Sequence, residues 1–178
     1  MAFPMKIKLR GIIGHDEAWG ADSSLWDDYF CIPYLNWAQT LAIMDLLIRL
    51  KPRKCFEWGA GWSTVFFPRF IPESIWMSME HLQMYVDLIS PHLPTNVKLL
   101  LRPIWESTYV SEAAYEVKGQ PFDFAFVDGE RRDDCVEMAL QILRKGGLAV
   151  QHDAPPPEKL RDEFEEEGIY KALWWGRK

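Results

Sequence analysis

The feature that most constrains the fold is a series of short apolar runs separated by segments of helical length. The runs cover residues 54–58, 74–80, 97–101, 122–128 and 147–152. Strands buried on both faces have continuous apolar sequences, and their alternation with helices is typical of a parallel sheet. The pattern predicts a compact α/β fold, namely a doubly wound, mostly parallel sheet with helices on both faces.

The segments between these runs carry apolar residues at helical spacing. We expect one helix over 35–51, ending before Pro52, and others over 82–93, 133–143 and 157–167. Lys145-Gly146-Gly147 is expected to end one of these helices as a glycine C-cap. A last short strand is predicted over 169–174.

Size and composition place these elements in one unit. The chain has 178 residues, 48% of them hydrophobic, which is enough for one continuous core. We therefore expect a single domain over residues 1–178. Within it, residues 1–34 are expected to form an N-terminal strand followed by a polar and aromatic segment that resembles a lid.

Charge and cysteine content argue against several functions. The formal net charge is −6, whereas nucleic-acid binding needs a clustered basic surface. The three cysteines form no Cys-x-x-Cys pair, so neither a disulfide framework nor a zinc site is indicated and a cytoplasmic location is expected. The apolar stretches are too short to span a bilayer. A small-molecule substrate, without nucleic acid or membrane partners, is favoured.

A glycine turn follows the first predicted central strand. Gly59-Ala60-Gly61 precedes Trp62-Ser63-Thr64, which can begin a helix. Glycine lets the backbone approach a ligand, and the free N–H groups of a helix start favour an anion, although a turn that needs glycine only for packing fits equally well. A dinucleotide site wants a third glycine where Thr64 stands. Instead, Glu57 offers a carboxylate that can accept hydrogen bonds from an ammonium group.

A second acidic residue, Glu80, lies 23 positions after Glu57, at the end of the second predicted strand. An acidic side chain at this place can accept both hydrogen bonds of a ribose diol. The alternative is an ordinary solvated carboxylate at a strand end. The two acidic positions together favour a nucleoside that also carries an amino group.

Three blocks of the sequence together resemble the class I S-adenosylmethionine-dependent methyltransferases. The block Cys-Phe-Glu-Trp-Gly-Ala-Gly-Trp-Ser-Thr at 55–64 is similar to the family's cofactor loop, and Ile-Trp-Met-Ser-Met-Glu-His at 75–81 to its second strand. Residues 122–129 and 143–153 are similar to its fourth and fifth strands with the connecting helix. The resemblance implies a Rossmann-like methyltransferase fold and S-adenosylmethionine as the cofactor.

The resemblance also implies roles at the methionine end of the cofactor. Glu57 is expected near its ammonium group or the loop backbone. The methionine carboxylate is expected against the amides of Gly59, Ala60 and Gly61 and the hydroxyl of Ser63 or Thr64.

At the nucleoside end, the resemblance assigns the ribose to Glu80 and places His81 against the adenine. The loop over 103–106, with Trp105, is expected to close the other side. This loop lacks the Asp-Ala or Asp-Val pair that often binds the adenine amino group, which leaves Glu106 as a weak candidate.

The candidate catalytic residues are Asp128, His152 and Asp153. The two carboxylates end neighbouring predicted strands, and His152 beside them is a candidate base. Converging carboxylates could instead hold Mg²⁺, as in some members of the family, but this is not favoured and we assign no metal ligand. The plainer alternative is that Asp128 serves a strand-end turn and Asp153 caps the next helix.

We therefore predict an enzyme that transfers a methyl group from S-adenosylmethionine to an oxygen or nitrogen of a small molecule. A non-catalytic cofactor-binding or assembly domain of the same fold is the main alternative. A nucleotide-dependent oxidoreductase is a weaker one, because the third glycine is missing. Since the chain ends at Lys178, soon after the last predicted strand, we expect the reversed final strand of the family to be lacking. The open edge is then completed either by the N-terminal strand or by a second subunit, which favours a homodimer.

Overall fold

The computed structural model describes residues 33–117 and 119–178. The predicted N-terminal strand and most of the segment predicted to resemble a lid lie outside these ranges. The helices of the described residues are α1 (Trp37–Leu50), α2 (Trp62–Phe66), α3 (Gln83–Ile89), α4 (Thr108–Glu116), α5 (Arg132–Ile142) and α6 (Glu158–Arg161), with 3₁₀ turns at Phe67–Phe70 and Ser90–His92. The strands are β1 (Lys54–Trp58), β2 (Ile75–Glu80), β3 (Val97–Leu101), β4 (Phe122–Val127), β5 (Leu143–His152), β6 (Glu166–Tyr170) and β7 (Leu173–Arg177).

The strands form one sheet in the order β3-β2-β1-β4-β5-β7-β6. Strands β1 to β5 are parallel, and β7 runs antiparallel to both β5 and β6. The predicted doubly wound, mostly parallel sheet is confirmed. From β1 the chain crosses to β2 on one side of the sheet, whereas from β4 it crosses to β5 on the other side. The strand order therefore reverses between β1 and β4, and doubly wound sheets bind ligands at such a switch point.

The expectation that the reversed last strand is missing is wrong. The run predicted as one strand over 169–174 contains a turn at Lys171, which has a left-handed backbone with φ 55°. This turn joins β6 to β7, and β7 pairs with β5 over five residues. The reversed strand is therefore present in the described residues.

Three further boundaries differ from the predictions. Lys145-Gly146-Gly147 lies within β5 rather than ending a helix, because α5 stops at Ile142 and β5 begins at once. The last helix covers only Glu158–Arg161. Helix α4 lies in a stretch for which we predicted no helix.

Alternation along β1 places its side chains on opposite faces of the sheet. Phe56 and Trp58 pack into the cluster that includes α4 and α5, while Cys55 packs with α1 on the other face. Helix α1 begins with a capping box at Asn36 and buries Ile43 and Leu47. The core thus fills both faces of the sheet.

Within the described ranges, none of the helices combines the length and the apolar content needed to cross a membrane.

Candidate functional site

The turns after β1 and β4 touch each other at the switch point of the sheet. Gly59 has φ +91°, and a Cβ atom placed on it would lie 2.4 Å from the amide nitrogen of Gly129. A Cβ on Gly129 would lie 2.3 Å from the hydroxyl of Tyr109. Glycine is required at both positions because neither turn leaves room for a side chain.

The amides of the glycine turn are engaged inside the protein. Those of Gly59 and Ala60 donate to the Met79 carbonyl at 2.8 and 3.1 Å. The amide of Gly61 donates to Thr64 Oγ1 at 3.1 Å. Their predicted contact with a methionine carboxylate stays a prediction. Gly61 nevertheless has space beside it among the described residues, none of which has a heavy atom within 4 Å of a Cβ built there.

Glu57 is turned into the protein rather than toward a ligand. Its side chain is 0% exposed. One carboxylate oxygen accepts from Ser63 Oγ at 2.5 Å, and the other accepts from Thr64 Oγ1 and Trp76 Nε1 at 2.7 Å each and from Ser78 Oγ. The hydroxyls of Ser63 and Thr64 are thus engaged with Glu57, and their contact with a methionine carboxylate stays a prediction. Of the two places that the resemblance implied for Glu57, the structure has it against the residues of the loop.

The carboxylate of Glu57 therefore fastens three elements together. Ser63 and Thr64 belong to α2, while Trp76 and Ser78 belong to β2. Burial raises the pKa of Glu57 to about 6, and the four hydrogen bonds oppose that rise. We did not predict the roles of Trp76 and Ser78. The available signal was the polar Ser78 within an apolar strand, on the same face of the sheet as its neighbour Glu57.

Glu80 ends β2 and is 3% exposed. Its Oε1 accepts from the amides of His81 and Leu82 at 2.8 Å each, which fixes the carboxylate at the strand tip. Within the described residues its second oxygen, Oε2, has no hydrogen-bond partner. His81 Nδ1 is buried and also lacks a hydrogen bond, although it lies 3.1 Å from Glu80 Oε1, because the geometry is unsuitable.

The structure adds Tyr109 to the predicted residues around Glu80. This side chain of α4 is fully buried, and its hydroxyl accepts from the Glu130 amide at 3.3 Å. The ring meets His81 edge-on, with 5.9 Å between ring centroids. Tyr109 thus links the turn after β2 to the turn after β4. Trp105, in contrast, is 82% exposed.

The structure brings Asp128, His152 and Asp153 together. Val127 of β4 pairs with Gln151 of β5, so the next residues on the two strands lie side by side. Asp128 Oδ1 lies 2.8 Å from His152 Nδ1, and Asp153 Oδ1 lies 3.4 Å from the same nitrogen. The His152 side chain is only 13% exposed, whereas that of Asp153 is 55% exposed. The imidazole is therefore held between two carboxylates.

Several solved structures share this fold. Cofactor-bound Rv0187 from MTB gives a TM-score of 0.63 at 15% identity, over 89% of this chain and 90% of that one. A methyltransferase-like protein from Silicibacter pomeroyi gives 0.61 at 13% identity, over 82% and 87%. MycE methyltransferase from the mycinamycin biosynthetic pathway, in complex with Mg, SAH and mycinamycin VI, gives 0.58 at 14% identity, over 79% of this chain and 47% of MycE.

The chain has the fold of the class I S-adenosylmethionine-dependent methyltransferases. No family model matches the sequence, and no curated protein sequence is similar to it. The resemblance first inferred from three sequence blocks is thus confirmed at the level of the fold.

In this methyltransferase fold, Arg132 joins the turn after β4 to the end of β5. Its Nε donates to the Gly129 carbonyl at 2.9 Å, and its Nη1 donates to the His152 carbonyl at 3.1 Å. The same Nη1 lies 2.7 Å from Asp153 Oδ2. Arg132 is thus a bridge within the protein.

The cluster of Asp128, His152 and Asp153 consists of side chains that can ligate a metal ion. One ligand atom of each lies within 4.8 Å of the others. Mg²⁺, however, prefers an octahedron of oxygen ligands, and here one of three donors is an imidazole nitrogen. A guanidinium already contacts one carboxylate. The residues present therefore do not suit Mg²⁺.

Proposed function

We propose that this chain binds S-adenosylmethionine across the carboxyl ends of β1, β2 and β4 and transfers its methyl group to a small molecule. The observation that carries the proposal is Glu80. One of its oxygens is fixed by two backbone amides, while the other, at the strand tip beside the switch point, accepts no hydrogen bond from residues 33–117 and 119–178. This is the arrangement expected of a carboxylate that receives the two hydroxyls of a ribose.

Two further observations support a nucleoside at this place. His81 Nδ1 is a buried nitrogen with no hydrogen-bond partner in the part of the chain that the structure describes, and buried polar atoms usually have one. Gly61 opens onto free space next to the turn, which leaves room for the methionine part of the cofactor. The likeness in fold to a cofactor-bound protein and to a methyltransferase in complex with SAH is consistent with this proposal.

S-adenosylmethionine supplies an electrophilic methyl group on a sulfonium. A hydroxyl or amine acceptor that attacks this methyl group must lose one proton, and we assign that proton to His152. Its Nδ1 faces Asp128 Oδ1 at 2.8 Å, which favours the tautomer that carries hydrogen on Nδ1. Nε2 then has a free lone pair that accepts the proton from the acceptor, while Asp128 stabilises the charged imidazolium.

Titration calorimetry with S-adenosylmethionine, S-adenosylhomocysteine and NAD tests the binding step. We expect both sulfur ligands to bind and NAD not to bind. The variant Glu80→Gln should weaken binding roughly tenfold, because a neutral amide replaces a charged acceptor. Glu137→Gln, at an exposed position of α5 away from the strand tips, is the matched control and should bind like the wild type.

Transfer is tested separately from binding. Incubation with labelled S-adenosylmethionine and a metabolite extract should give a labelled product with the wild type and much less with His152→Asn. Binding of both sulfur ligands without any product would favour the non-catalytic alternative. Binding of NAD without either sulfur ligand would instead point to an oxidoreductase.

A further inference from the structure

We propose that the strand-end site of this chain carries its own cation, the guanidinium of Arg132, and works without a divalent metal ion. The role of this site in methyl transfer rests on the proposed function. The absence of metal binding does not, because it follows from contacts that exist without a cofactor.

The guanidinium occupies one of the carboxylates that a metal ion at this cluster would use. Arg132 is in the first turn of α5 and reaches the carboxylate of Asp153 at 2.7 Å. It also donates to two carbonyl oxygens, those of Gly129 and His152, at 2.9 and 3.1 Å. These carbonyls belong to the turn after β4 and to the end of β5. A planar donor with several N–H groups can make all three contacts at once.

The carboxylates of the cluster already have partners within the protein. Asp153 contacts Arg132, and Asp128 contacts the imidazole of His152. A divalent ion bound to these carboxylates would lie within a few ångströms of a fixed positive charge. It would also need the lone pair of His152 Nδ1, which the contact with Asp128 favours as a hydrogen donor. Both effects oppose metal binding.

Arg132 therefore acts as a positioning residue. By holding the His152 carbonyl and Asp153 together, it keeps the end of β5 against the turn after β4. This fixes the imidazole next to Asp128. Removal of the guanidinium should release that end of β5 and leave a carboxylate without its partner.

The experiment uses the full chain, freed of metal by a chelating resin, and follows the melting temperature with added Mg²⁺, Mn²⁺ or EDTA. For the wild type we expect no saturable change with any of the three. Arg132→Met should lower the melting temperature. Because Asp153 is then no longer paired with a positive charge, added Mn²⁺ should raise the melting temperature of this variant in a saturable way. The double variant Arg132→Met/Asp153→Asn should lose that increase.

Arg131→Met is the matched control. Arg131 precedes Arg132 in the chain and pairs with Asp134 at the surface, so its loss should leave the melting temperature as insensitive to metal as in the wild type. A saturable increase in the wild type that Asp153→Asn abolishes would overturn the proposal. Electron paramagnetic resonance of free Mn²⁺ measures wild-type binding directly and remains decisive if Arg132→Met does not fold.

The metal titration needs neither cofactor nor acceptor. A protein that fails to bind S-adenosylmethionine can therefore still confirm the role of Arg132, and a metal-binding wild type can still be a methyltransferase. The experiments therefore distinguish a failure of the metal-free proposal from a failure of the proposed function.

Discussion

At the scale of single residues, Glu57 shows how one buried carboxylate can hold the glycine turn after β1 in place. Its two oxygens accept four hydrogen bonds from α2 and β2 in a fully buried position. A buried charge of this kind is costly unless it is well hydrogen-bonded. The stability of the glycine turn therefore depends on the protonation state of Glu57.

The first prediction concerns the pH dependence of stability that Glu57 contributes. Its pKa rises from 4.5 in the unfolded chain to about 6 in the folded one, so the folded state holds the proton up to a higher pH. The favourable contribution is complete below about pH 4.5 and is lost as the pH rises through 6. The loss amounts to about 2 kcal/mol.

Urea unfolding of the wild type and of Glu57→Gln at several pH values measures this contribution. The wild type should lose about 2 kcal/mol relative to the variant between pH 4.5 and neutrality. The other carboxylates are common to both proteins and cancel in the difference. Parallel stability curves for the two proteins would contradict the assignment.

The second prediction concerns the glycine turn. Gly59→Ala should destabilise the protein by about 3 kcal/mol or more, because it combines a positive φ with a Cβ 2.4 Å from the backbone of Gly129. Gly61→Ala is the control, since its Cβ would meet nothing within 4 Å. Thermal unfolding of the two variants should therefore give very different melting temperatures. Equal decreases in the melting temperature of the two variants would show that the turns after β1 and β4 can move apart to admit a side chain.

At the scale of elements, the sequence predicted the five central strands and most helices but not their exact ends. The apolar runs are long enough to locate β1 to β5. The turn at Lys171 was missed because a lysine in a left-handed conformation has no glycine or asparagine to mark it. As a result, β6 and β7 were predicted as one strand.

The candidate site could be predicted only in part for a similar reason. The positions of Glu80, Asp128 and His152 follow from strand ends, which the sequence indicates. Whether a strand-end side chain faces the ligand or the protein depends on which helix covers it. For Glu57 the covering helix is α2, whose two hydroxyls accompany the carboxylate into the interior.

The third prediction concerns the opposite ends of the strands, where Asp123 joins β4 to its neighbours. Its carboxylate accepts from the amides of Arg53 and Lys54 at 2.8 and 3.0 Å and from Arg144 Nε at 2.5 Å. Burial alone would raise the pKa of Asp123, but the hydrogen bonds from Arg144 and from the two amides outweigh it and lower the pKa. Asp123 therefore stabilises the fold above its usual pKa, and this contribution is lost in acid.

Asp123→Asn should cost about 1–3 kcal/mol at neutral pH, because charge-assisted hydrogen bonds are replaced by weaker ones. The difference from the wild type should shrink as the pH falls below the usual range of aspartate. Denaturant unfolding at neutral and acidic pH measures it. A difference that stays constant in acid would exclude the carboxylate as its source.

At the scale of the whole molecule, the two ends of the sheet have different tasks. The amino ends of β1, β4 and β5 are tied together by Asp123, whereas the carboxyl ends carry the candidate site around Glu80, Asp128 and His152. The polar residues proposed to bind a ligand therefore lie at the opposite end of the sheet from Asp123. This division is common in doubly wound sheets, where ligands bind at the carboxyl ends.

The fourth prediction is that the cofactor stabilises the folded chain by mass action. S-adenosylhomocysteine at about one hundred times its dissociation constant should add about 2.7 kcal/mol. For a protein of this size the melting temperature should rise by roughly 5–10 °C. NAD at the same concentration should leave it unchanged, and differential scanning calorimetry measures both. An equal rise with NAD would contradict the nucleoside assignment.

The contact between the turns at Gly59 and Gly129 also restricts how this protein can vary. Each turn blocks the space that a side chain on the other would need, so a substitution at either position forces both loops to move. In a library of variants we therefore expect neither position to accept a residue other than glycine, whatever stands at the other. The cleft between β1 and β4 would then tolerate few substitutions on either side.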